Sequence, residues 1–99
     1  MKIVKNIVDR INDELCDAQM YAEKMIEAKS VGDSKWASRY KSMAEDEMTH
    51  AMNMHDLGVE TIEKIRSVYE PNQDMLDKWE HAHKEYVEKA AWIKQMMTL

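Results

Sequence analysis

Two glycines and one proline among 99 residues leave this chain almost nowhere to interrupt a helix. Glycine and proline are the residues that end helices and open turns. Alanine, glutamate, lysine, methionine, leucine and glutamine, which cost least in a helix, fill much of the remainder. An all-α fold follows, and the few punctuating residues divide it. Gly32 lies in Ser30-Val31-Gly32-Asp33, where glycine suits a helix C-terminus and Asp33 or Ser34 suits the next N-cap. Pro71 and Asn72 make the second break.

Apolar spacing predicts the three segments. About residues 2 to 30, Val4, Ile7, Val8, Ile11, Leu15, Ala18, Ala22, Met25 and Ile26 recur every three or four positions. From about 34 to 69 the inner face is read as Trp36, Tyr40, Met43, Glu47, His50, Met54, Leu57, Thr61, Ile65 and Val68. Gly58 interrupts neither this period nor the helix, because Val59, Ile62 and Ile65 continue it. From about 73 to 97 the inner residues are Leu76, Trp79, His83, Tyr86, Ala90, Ile93 and Met97. The expected architecture is a single domain, a long antiparallel hairpin plus a third helix. Its second helix, at ~1.5 Å per residue, spans ~50 Å and calls for a partner along its length. So short a chain buries a modest fraction of its surface, so a homo-oligomer is expected.

Nineteen acidic and fourteen basic residues give a net charge of −5, with the cations dispersed, which argues against a nucleic-acid partner. Cys16 is the single cysteine and has no activating base in its sequence neighbourhood. No apolar run approaches the roughly 18 residues of a membrane span. The N-terminal residues reach Asp9 and Arg10 without a signal-peptide core. A cytoplasmic location is the expectation.

Two residues on the second helix's apolar face are polar. Glu47 and His50 form Glu-x-x-His, a carboxylate and an imidazole one turn apart. A buried carboxylate needs a partner or changes its protonation state, and no lysine or arginine lies within a turn of Glu47 on its own helix. If the hairpin turns near residue 32, level positions sum to roughly 63, which brings Glu14 of the first helix to the Glu47/His50 turn. Two carboxylates and an imidazole at one depth suit iron, manganese or zinc. Tyr21, two turns beyond Glu14, would support a ligating carboxylate or serve as ordinary core. The alternative for the same residues is a polar seam that sets helix register, with Glu14 paired to Arg10 one turn earlier.

Glu80 and His83 repeat the spacing on the third helix, beside His81. With a turn near residue 70, level positions sum to roughly 140, so Ala90 to Ile93 lie opposite Glu47 and His50, and His83 falls ~10 to 15 Å away along the axis. The pair reads as a polar face with one histidine packed between Trp79 and Tyr86, as a second metal site, or as ligands delivered to another subunit. The ten methionines fall largely at packing positions, where thioethers fill gaps.

The stretch Glu45-Asp46-Glu47-Met48-Thr49-His50-Ala51 is similar to the second-helix metal signature of the ferritin-like carboxylate proteins, and Glu14 followed by Tyr21 resembles their first-helix pattern. The resemblance covers about residues 10 to 58. A full ferritin-like bundle draws Glu, Glu-x-x-His, Glu and Glu-x-x-His from four helices, and this hairpin supplies half of that set. The half-bundle resembles the encapsulated ferritins, in which two subunits complete a di-iron site that oxidises Fe(II). The third helix is longer than that branch leads one to expect, and residues 93 to 99 do not read as an encapsulin-targeting tail. The resemblance implies Glu14, Glu47 and His50 as metal ligands, Tyr21 as their support, iron (or manganese or zinc) as the metal, and ferroxidase-type activity. The competing expectation, from a different class, is a non-enzymatic helical assembly protein of phage or adaptor type.

Overall fold

A computed structural model describes residues 2–99 as three helices, α1 (Lys2–Ser30), α2 (Ser34–Val68) and α3 (Gln73–Met96). Their bounds follow local chemistry. Gly32 adopts φ 75°, the left-handed conformation that glycine takes without a Cβ penalty, and the Asp33 amide donates back to the Ala28 carbonyl at 2.9 Å, closing α1. Asp33 then caps α2, its carboxylate accepting from the Trp36 amide at 3.2 Å. Asn72 does the same for α3, accepting from the Met75 amide at 2.8 Å.

The three rods lie side by side in a body of 56 × 17 × 17 Å. Ile11, Leu15, Met25 and Ile93 are the largest side chains wholly removed from solvent. The expected stripe of α1 is the buried one, with Val8 and Ile26 half-buried at its edges. On α3 the core residues are Met75, Trp79, Ala82, Ala90, Ile93 and Met96, while Leu76, His83, Tyr86 and Met97 are half-buried.

On α2 the expectation needs correction. The residues that α2 buries are Ala37, Ala44, Met48, Ala51, Gly58, Ile62 and Ile65, whereas Trp36, Met43, His50, Leu57 and Val68, read as inner, are exposed. Periodicity weighted by large side chains points to the wrong line. Alanine and glycine let α2 approach its neighbours closely, so the small residues mark the contact. Gly58 is the extreme case. The indole of Trp79 rests on it, and a Cβ there would overlap the ring. α2 is nonetheless one continuous helix of 35 residues, as the sequence predicts.

Among the described residues, no helix is long and apolar enough to cross a membrane.

Candidate metal centre

Among the described residues Glu14 is the one charged residue in the buried core, only 8% exposed, on the same line of α1 as Ile11 and Ala18. Its position in the apolar period places the carboxylate in the α1/α2 seam, where the level turn of α2 carries Glu47 and His50. One Glu14 oxygen lies 3.2 Å from Arg10 Nε and the other 3.5 Å from His50 Nδ1. Glu47 lies 3.8 Å from the same His50 nitrogen. One ligand atom from each of Glu14, Glu47 and His50 falls within 4.8 Å of the others, the single group of three or more such residues among those described.

The two carboxylates titrate as a pair. Glu14 is held below the usual carboxylate range, first by its hydrogen bond with Glu47 and also by the charges of Arg10 and His50, against the opposing effect of burial. Glu47 is pushed up to about 7 by that same hydrogen bond, by burial, and by the negative charges of Glu14 and Asp17. Two carboxyl groups this close cannot both ionise cheaply, which is why their shifts run in opposite directions.

The group opens into a cleft of about 550 Å³ lined by Arg10, Asp13, Glu14, Cys16, Asp17, Glu47 and His50. No α3 residue lines it. The cluster is therefore reached from the face of the hairpin that α3 leaves bare. Donors of two carboxylates and one imidazole match the ligand chemistry of Fe(II), Mn(II) and Zn(II).

No family model, curated protein or solved structure matches this chain.

Tyr21 is half-buried and its ring stacks on Tyr40, with centroids 6.4 Å apart; among the described residues no hydrogen bond joins its hydroxyl to Glu14. Glu80 is exposed on α3. His83 turns to His55 of α2, with Nδ1 and Nε2 2.7 Å apart. His55 itself stacks on Tyr86 at 4.4 Å and on Trp79 at 5.5 Å, and burial followed by the neighbouring His83 lowers its pKa. Sequence reasoning missed His55 as His83's partner and Asp17 as Glu47's electrostatic neighbour. Both were within reach, because the α2/α3 register that puts Ala90 opposite Glu47 also puts the His55 turn opposite His83, and Asp17 lies one turn beyond Glu14.

Proposed function

We propose that this chain is a metal-binding protein of ferritin-like type, in which Glu14, Glu47 and His50 form half of a di-iron centre. A second copy supplies the other half, and Fe(II) is the substrate oxidised. The observation that carries this reading is the convergence of buried Glu14, half-buried Glu47 and the His50 imidazole from two helices, one ligand atom of each within 4.8 Å of the others, in an open cleft. Two carboxyl groups brought this close favour a cation or a proton between them, and Arg10 meets only Glu14.

In this reading Glu14 and Glu47 bind through oxygen and His50 through nitrogen. Bound iron supplies one-electron chemistry toward dioxygen. Glu47 gives up its proton on binding, and Asp13 and Asp17 at the mouth of the cleft attract cations toward it. Arg10 leaves one oxygen of Glu14 engaged, so that its other oxygen faces His50. Manganese and zinc suit the same donors.

A second reading draws on the Arg10 ion pair. Glu14 already has a cationic partner at 3.2 Å, which suits a polar seam that sets register in a non-enzymatic helical assembly.

Aerobic Fe(II) titration of the metal-free protein separates the two, with ferric absorbance recorded beside light scattering. Saturation at about one iron per chain, with oxidation above the buffer rate, is expected of a centre completed by two half-sites. Glu47→Ala should abolish it. Uptake retained in Glu47→Ala, or no uptake by an intact oligomer, favours the structural reading.

A further inference from the structure

A second meeting of metal-ligating side chains lies at the other joint of the fold, between α2 and α3. Spacing alone pairs His83 with Glu80 on its own helix, yet Glu80 is exposed, and His83 reaches across to His55, Nδ1 to Nε2 at 2.7 Å. Both imidazoles are half-buried.

His55 is held in place by its neighbours. Its ring lies 12° from parallel with that of Tyr86, centroids 4.4 Å apart, and also stacks on Trp79, whose indole rests on Gly58. Its Nδ1 stands 4.0 Å from a carboxylate oxygen of Asp56. That negative charge favours a proton on Nδ1, which leaves the Nε2 lone pair directed at His83. A carboxylate behind an imidazole, on the side away from the bonding nitrogen, is the arrangement that orients histidines which bind metals. His83 needs only the tautomer with its proton on Nε2 to offer a second lone pair, a change that leaves both rings neutral.

The spacing of the rings suits a cation between them. An ion ~2.0–2.1 Å from each bonding nitrogen stands ~3.2 Å from each ring centre. With the ring centres 4.9 Å apart, the two bonds would meet at ~100°, between the square-planar and tetrahedral angles. The rings have to turn toward a common point and not to separate. Imidazole donors suit late first-row ions, unlike calcium and magnesium, which take oxygen, and among those ions Cu(II) is bound tightest.

We propose that His55 and His83 form a two-imidazole site for a late first-row divalent ion, Cu(II) foremost, which ties α2 to α3. The site shares no residue with the Glu14–Glu47–His50 cluster and does not depend on iron chemistry there.

Cu(II) titration of the full chain carrying Glu47→Ala, His50→Ala and Cys16→Ser tests it, because neither the first cluster nor the exposed thiol then competes for copper. About one Cu(II) per chain should bind, giving an electron paramagnetic resonance spectrum split by two nitrogens. Tryptophan fluorescence should fall as it binds, since Trp79 stacks on His55. His83→Asn should weaken uptake by ~100-fold or more, beyond the ~10–100-fold that changes behind the ligands cost. His55→Leu, which keeps an apolar group between Trp79 and Tyr86, should do the same, and helical circular dichroism should be unchanged in both. His81→Ala, at an exposed histidine paired with Glu85, should leave uptake as it was. No uptake from a large excess of Cu(II), or a spectrum with fewer than two nitrogens, overturns the proposal. So does uptake that survives His83→Asn and His55→Leu in folded chains, or that His81→Ala weakens as much as they do.

Discussion

Glu14 and Glu47 reach toward each other from two helices and are shifted apart, Glu14 held below the usual carboxylate range and Glu47 pushed up to about 7. The inequality has a local cause. His50 lies near both carboxyls and Arg10 against Glu14 alone, whereas Glu47 also meets the charge of Glu14 and, further off, that of Asp17.

This pair makes metal-free stability depend on pH. Glu47's folded pKa is raised, so its contribution is full below the unfolded value near 4.5 and is lost as pH rises through about 7. Glu14, shifted the other way, offsets part of this at the acid end. Glu47→Gln keeps a neutral hydrogen-bonding group there, so it should melt ~5 °C above wild type at pH 8 and close to it at pH 5. Thermal scans in chelator at the two pH values measure this, and an equal shift at both would refute the raised pKa of Glu47.

Zinc, which has no redox chemistry, should displace the Glu47 proton. Near pH 6.5 uptake is expected to release about one proton per chain, falling toward none at pH 8, where Glu47 is already ionised. A pH indicator in weak buffer reads the release. Glu47→Gln should release less per zinc bound, and proton release unchanged in that variant would place the proton elsewhere.

The packing of Trp79 on Gly58 sets a different expectation. Alanine is the better helix former by ~1 kcal/mol, yet its Cβ would enter the indole. Gly58→Ala should therefore destabilise the fold by ~1–3 kcal/mol, as overpacked cores do. With Trp79→Leu in the background the clash is relieved and the same substitution should be neutral or stabilising. Denaturant melts of the four chains decide it, and additivity of the two substitutions would show that the contact does not limit the packing.

His55 ties α3 to α2 and responds to acid. Its pKa is lowered by burial and by His83, so the stability it contributes is present above the unfolded value of 6.5 and declines as pH falls below it. Between pH 7.5 and 5.5, amide exchange along α3 should accelerate in the wild type and change less in His55→Leu, which keeps an apolar group between Trp79 and Tyr86. Equal acceleration in both chains would assign the acid response to another group.

The three helices and their ends were legible in sequence because the signals are local. Gly32, Asp33 and Asn72 act through backbone bonds to residues within a turn or two of themselves. The meeting of Glu14 with the Glu47/His50 turn was legible too, since a tight hairpin leaves little freedom of register. The buried line of α2 was not. Choosing between the Trp36–Met43–Leu57 line and the Ala44–Ala51–Gly58 line depends on how closely two other helices approach, and the small residues that permit the approach carry little hydrophobic signal of their own.

By itself, then, the sequence determined that this chain is helical, where each helix starts and stops, and which turns of α1 and α2 stand level. Hydrogen-bonding caps and helical period act over a few residues and need no distant partner. Only the tertiary structure decided which face of α2 turns inward and that the Glu14–Glu47–His50 cleft opens on the side α3 leaves uncovered. Those outcomes turn on the shape of Trp79 against a missing Cβ and on the balance of burial and charge between residues more than thirty positions apart in the chain, which no local rule encodes.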